Sequence, residues 1–67
     1  SSITKIFTKN KISIKNLIQN PNKLNNKASI VIITHANSEK NFKKLFVGLS
    51  KNKYVIKKPI FIRIEKN

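Results

Sequence analysis

An uncharged run rich in β-branched residues, positions 28–35, constrains the fold more than any other stretch of this chain. It is Ala-Ser-Ile-Val-Ile-Ile-Thr-His and has Asn-containing polar segments on both sides. This composition is typical of a β-strand, in which successive side chains point to opposite faces. Ile30 and Ile32 fall on one face and Val31 and Ile33 on the other, so both faces are largely apolar. The pattern predicts a central strand that is covered on both sides.

The segments before this strand are predicted from the spacing of their apolar residues. Positions i, i+3 and i+4, counted from Ile3, are apolar and form one stripe of a short helix. Asn10 is expected to end this helix in the left-handed conformation. Residues 11–15 alternate as a half-buried strand, and a β-bulge near Asn16 explains the slip of phase after them. Pro21 is expected to end the pairing, because proline has no amide hydrogen to donate.

The segments after residues 28–35 predict a second helix and a last strand. Ser38 is a suitable N-cap, and apolar residues at i, i+3, i+4 and i+7 from Phe42 form the clearest helical stripe of the chain. Gly48 within it either permits close packing against the sheet or is a weak point of the helix. Residues 60–65 alternate and predict a terminal strand, with Ile60, Ile62 and Ile64 inward. The expected order is α-β-β-α-β within one domain.

The composition contains no constellation of residues that could carry catalysis. The chain has no cysteine, one histidine (His35) and two carboxylates, Glu39 and Glu65, on different predicted elements. A nucleophile with its base, a metal-ligand cluster and a Gly-rich phosphate loop cannot be assembled from these residues. His35 is more simply explained by a hydrogen bond to a nearby backbone group. The longest apolar run, 30–33, is far too short for a membrane span, so a cytoplasmic location is expected.

The formal net charge of +13 leaves nucleic-acid binding open as an alternative function. Lys, Asn and Ile, the residues favoured by AT-rich codons, dominate the composition, which gives the charge a second explanation. Many RNA-binding α+β domains stack bases on aromatic residues of their central strands. The predicted central strand here has no aromatic residue. A small basic nucleic-acid-binding α+β module is therefore the second hypothesis rather than the first.

Four segments of the chain form a recognisable set: Ile12-Ser13-Ile14 followed by Gln19, the strand at 28–35, Ser38-Glu39 at the start of a helix, and Ile-Arg-Ile-Glu at 62–65. Together they resemble the carboxy-terminal ACT domain of bacterial homoserine dehydrogenase. The resemblance implies a ferredoxin-like ACT sandwich, βαββαβ with the first strand missing, whose antiparallel sheet carries both helices on one face. Residues 1–67 would form a single, N-terminally truncated ACT-like regulatory domain. Lys11 stands where the family usually has glycine.

This resemblance also implies a function. The parent enzyme would reduce aspartate semialdehyde to homoserine with NAD(P)H. This NAD(P) cofactor would be held by its catalytic domain and not by this fragment. The fragment itself would be non-catalytic and would regulate and oligomerise that enzyme. Ser13, Asn16 and Gln19 are the residues expected to contact an amino-acid effector, for which threonine is the family theme.

The apolar residues of the outer sheet face predict an interface. Val31, Ile33 and Phe61 are expected on the face opposite the helices, where a small domain would otherwise expose them. A missing first strand would also leave backbone groups of residues 28–35 without hydrogen bonds. Both features predict a homo-oligomer that forms through the sheet.

Overall fold

The structure, a computed structural model, describes residues 2–64 and has an α+β fold. Its elements in chain order are α1 (Ser2–Lys9), β1 (Ile14–Asn22), β2 (Lys27–Thr34) and α2 (Glu39–Lys51). The two strands form one antiparallel sheet. The predicted α+β class and the order of the first four elements are therefore confirmed at this level.

The end of α1 is closed by a Schellman motif. The backbone N–H of Ile12 donates to the carbonyl oxygen of Phe7 at 3.0 Å, and that of Lys11 donates to Thr8 at 3.0 Å. Lys11 has a φ of 60°, so Lys11 and not Asn10 takes the left-handed conformation, and the prediction for Asn10 was wrong. The motif brings Ile12 back onto Phe7, and both side chains are buried. The turn thus places the side chain of Ile12 in the core before β1 begins.

The hairpin of β1 and β2 contains the predicted bulge. Ile14 pairs with Thr34 and Asn16 with Ile33, so the register shifts by one residue between them. The prediction that Pro21 ends the pairing was wrong, because Pro21 lies opposite Ala28 and one more pair follows. A four-residue turn, 23–26, then reverses the chain, with Asn26 at a φ of 56°.

Backbone direction explains why proline is tolerated inside β1. The backbone N–H of His35 donates to the carbonyl oxygen of Ser13, so this N–H points towards β1. Amide directions alternate along a strand, which turns the N–H of Ala28 away from β1. Pro21 therefore occupies a pair in which no hydrogen bond is exchanged, and its missing amide hydrogen costs nothing there.

The prediction of a covered central strand was wrong for β2. Within residues 2–64, β2 pairs with β1 alone and is therefore an edge strand. Val31 is 54% exposed, and most other residues of β2 are exposed or half-buried. By register, the inner face of the hairpin carries Leu17, Ile30 and Ile32, and the outer face carries Ile18, Val31 and Ile33.

A small core joins both helices to the inner face. Phe7 from α1, Ile12, and Leu45 and Leu49 from α2 are buried together. Ile32 of the inner face packs against them, as do other half-buried residues: Ile3, Ile6, Ile14 and Phe42. The two helices thus share one hydrophobic cluster with one side of the sheet.

The second helix begins and packs largely as its sequence predicts. The side chain of the N-cap Ser38 accepts a hydrogen bond from the backbone N–H of Asn41 at 3.1 Å, which confirms the predicted cap. Gly48 permits a close approach, but to α1 rather than to the sheet. A Cβ at this position would lie 2.9 Å from Cγ2 of Ile6. The absence of a side chain at Gly48 therefore sets how closely the helices pack.

The predicted last strand is absent from the part of the chain that the structure describes. Residues 52–64 contain a turn at 53–54 but no strand, and Glu65 lies outside the described residues. Phe61 instead packs edge-to-face against Phe42 and Phe46 of α2, with ring centroids 6.2 and 5.6 Å apart. The C-terminal segment, residues 60–64, is thus held on α2 by Phe61. The prediction that Ile60, Ile62 and Ile64 point inward was wrong, because all three side chains are exposed.

Candidate interaction surface

The outer face of the hairpin exposes apolar side chains of both strands. Ile18 and Val31 are paired across the strands and both are exposed, while Ile33 beside them is half-buried. Neither helix contributes to this face, because the helical core packs on the inner face with Ile32. An apolar sheet face left in water on so small a domain is typical of an interface.

Phe61 does not belong to this surface. The sequence placed it on the outer sheet face with Val31 and Ile33, and that placement was wrong. Its ring lies between the aromatic rings of α2, because residues 60–64 form no strand that could carry it to the sheet. The third apolar residue of the outer face is Ile18, which was not predicted from the sequence. The alternation of β1 across the bulge is the signal that could have identified it.

Two of the three candidate effector residues lie on the same side of the hairpin. Ser13 lies opposite His35, whose direction along β2 matches that of Val31 and Ile33, so Ser13 belongs to the outer side. Asn16 lies opposite Ile33 on the same side. Both are exposed, and the Oδ1 of Asn16 accepts a hydrogen bond from the N–H of Leu17 at 2.9 Å.

Gln19 is separated from these two residues. It lies opposite Ile30, which places it on the inner face of the hairpin. Ser13 in addition lines a shallow groove of about 520 Å³ beside the end of α1, shared with Thr4, Thr8 and Lys11 among others. The structure therefore brings together Ser13 and Asn16, and it does not bring Gln19 to them.

Asn37 ties the two helices together at this end of the hairpin. Its Nδ2 donates to the carbonyl oxygen of Lys11 at 2.6 Å, and its Oδ1 accepts from the backbone N–H of Ser38 at 2.7 Å. The same Oδ1 also accepts from Nδ2 of Asn41. One amide side chain thus connects the start of α2 to the Schellman turn of α1. From the sequence, Asn37 belongs only to the polar segment after residues 28–35, and its connecting role was not predicted.

The electrostatic surface is strongly positive. Glu39 is the one acidic side chain in residues 2–64, and it forms an exposed ion pair with Arg63. Lys40, Lys43, Lys44 and Lys51 are exposed and occupy one stripe of α2, opposite its buried leucines. Most of the positive charge of the chain therefore faces solvent without a nearby carboxylate among the described residues.

The described residues offer little that could hold a metal or a dinucleotide. No group of three His, Cys, Asp or Glu side chains within residues 2–64 is close enough to bind a metal ion. The single glycine, Gly48, lies in the middle of α2 against Ile6, so the chain lacks the Gly-rich turn on which a nicotinamide dinucleotide rests. The helices of the described region are also too short and polar to cross a membrane.

No protein-family description, curated protein or solved structure matches the chain.

Proposed function

We propose that this chain is the regulatory and oligomerising ACT domain of a homoserine dehydrogenase. The observation that carries the proposal is a β-hairpin with helices packed on its inner face, an apolar outer face and an unpaired β2 edge. A βαββαβ sandwich without its first strand leaves such a remainder, because that strand would lie beside β2. The sequence resemblance supplies the family, and the exposed sheet supports an association role.

In this proposal the chain acts by binding and not by catalysis. Reduction of aspartate semialdehyde with NAD(P)H belongs to the catalytic domain of the parent enzyme. The chain contributes self-association through the sheet and a site for threonine. Free threonine carries both charges and a side-chain hydroxyl, so its recognition needs hydrogen-bonding groups close together. Ser13 and Asn16, on one side of the hairpin, are the residues we propose for it.

An NMR titration with L-threonine tests the proposal. We expect saturable shifts of the amide signals of Ser13 and Asn16, with D-threonine as the ligand control. Ser13→Ala should weaken binding about tenfold, which corresponds to the loss of one well-formed hydrogen bond. Ser29→Ala is the matched control, because Ser29 is also exposed and lies on the same face at the far end of the hairpin. An absence of saturable shifts, or equal responses to both enantiomers, would contradict the proposed site.

The lysine stripe of α2 favours one other function, a small basic nucleic-acid-binding module. Four exposed lysines on one side of a helix can neutralise successive phosphates. If charge alone is responsible, binding is independent of sequence and falls steeply as salt is raised. Sub-micromolar binding to one sequence at physiological salt, in the presence of competitor, would favour this function over the ACT proposal.

A further inference from the structure

Residues 60–64 expose a regular apolar strip. Ile60, Ile62 and Ile64 are 86%, 81% and 73% exposed. The residues between them face α2, since Phe61 contacts Phe42 and Phe46 and Arg63 pairs with Glu39. The segment therefore has the two-residue alternation of a strand, with one side anchored on α2 and the other open to solvent.

The free edge of β2 offers a complementary set of unpaired backbone groups. Since the N–H of His35 points to β1, the amides of Ala28, Ile30, Ile32 and Thr34 point away from it. These four positions form no backbone hydrogen bonds along that edge within residues 2–64. β2 has eight residues and carries no charged side chain after Lys27. Its free edge therefore lacks the charged residues that usually prevent another strand from pairing with an exposed edge.

We infer that residues 60–64 of one copy add as a strand to the free edge of β2 in a second copy. Both halves of the interface occur in the same chain, and both leave backbone groups unpaired. Residues 60–64 do not pair with β2 of their own chain in this structure, because they rest on α2. Reciprocal exchange between two copies satisfies both edges and closes the assembly. The inference deepens the self-association part of the proposed function for the 67-residue chain, in which residues 60–64 of a second copy take the position that the proposal gives to the first ACT strand. It does not depend on amino-acid binding.

The charge of the chain gives this interface a characteristic salt dependence. Each copy carries a formal charge of +13, so two copies repel each other at low ionic strength. Added salt screens this repulsion, with a Debye length of about 8 Å at physiological ionic strength. Self-association should therefore strengthen with salt, whereas binding to nucleic acid weakens with it.

Amide hydrogen exchange of the full 67-residue chain tests the inference residue by residue. The amides of Ile30 and Ile32 should become protected as the concentration rises from low micromolar to near-millimolar. Those of Val31 and Ile33 point to β1 and should be protected at every concentration. Protection of Ile30 and Ile32 that is independent of concentration would show pairing within one chain. If the amides of Ile30 and Ile32 are unprotected at every concentration, the edge of β2 stays free in solution. Either result would overturn the inference.

Two matched lysine substitutions separate this interface from a general effect of charge. Ile62→Lys should weaken self-association at least about tenfold. Ile56→Lys adds the same charge at another exposed isoleucine outside the segment, and should change it little. Equal effects of the two would refute the proposed pairing. If Val31→Lys dissociates the assembly and Ile62→Lys does not, the outer face is the interface, which overturns this inference and leaves the proposed function intact.

Discussion

The contact between Gly48 and Ile6 permits a prediction whose sign depends on a single methyl group. In a helix interior, Gly→Ala ordinarily stabilises by about 1 kcal/mol, because alanine loses less backbone entropy on folding. At Gly48, however, the new Cβ would lie 2.9 Å from Cγ2 of Ile6. That methyl is attached directly to a β-branched carbon whose χ1 is fixed in a helix, so it cannot rotate away cheaply. Overpacking of this kind costs about 1–3 kcal/mol.

Gly48→Ala is therefore expected to lower the free energy of unfolding, by up to about 2 kcal/mol, instead of raising it. Urea unfolding followed by circular dichroism measures the change. In an Ile6→Ala background the obstructing methyl is gone, and the same Gly48→Ala change should stabilise by about 1 kcal/mol. The double-mutant cycle should thus give a coupling energy of about 1–3 kcal/mol.

Ser50→Ala provides the control for helix propensity. Ser50 is exposed on α2, so its replacement should stabilise by about 0.5 kcal/mol whether or not Ile6 is present. The reasoning is refuted if Gly48→Ala stabilises the wild-type chain by the full propensity gain. It is also refuted if the coupling energy to Ile6 falls below about 0.5 kcal/mol, the usual limit of additivity.

Further predictions concern the turn, the cap, the core and catalysis. Lys11→Gly should raise the free energy of unfolding by roughly 0.5–1 kcal/mol in urea titrations, because glycine adopts a φ of 60° without steric cost, and Lys11→Ala should not. Ser38→Ala should lower it by about 1 kcal/mol in the same assay, through loss of the hydrogen bond to the N–H of Asn41. Leu45→Ala should cost about 2–5 kcal/mol, seen as a large loss of thermal stability by circular dichroism. The purified chain should show no homoserine-dependent reduction of NAD(P) by absorbance, and measurable reduction would contradict the proposed non-catalytic role.

Local signals in the sequence predicted the helices and the bulge well. The stripe of α2 and the cap at Ser38 depend on residues within one or two turns, and both are confirmed. The bulge before Asn16 was also visible as a slip of phase in the alternation. Such features are decided by neighbours in sequence, which is why a single chain is enough to predict them.

Features that depend on distant partners were predicted less well. Residues 28–35 have the composition of a covered strand, but composition cannot show how many strands pair beside it. Pro21 was taken as a terminator because the direction of each backbone amide depends on register across the hairpin. Residues 60–64 do alternate, but in the opposite sense to the prediction. Their isoleucines face solvent, because contacts of Phe61 with α2 hold the other side of the segment on the helix and away from the sheet. Of the candidate site residues, the structure places Ser13 and Asn16 on the same side of the hairpin as Val31 and Ile33, and places Gln19 and Phe61 elsewhere.

Sedimentation equilibrium of the 67-residue chain tests most directly the claim that it functions by association. At physiological salt, we expect the mass to rise well above the 7.7 kDa of one copy as the concentration increases from low micromolar to near-millimolar, and to rise further as salt is increased. Circular dichroism of the same sample establishes that the chain is folded. A well-folded species that stays at 7.7 kDa across the whole range of concentration and salt would contradict the claim.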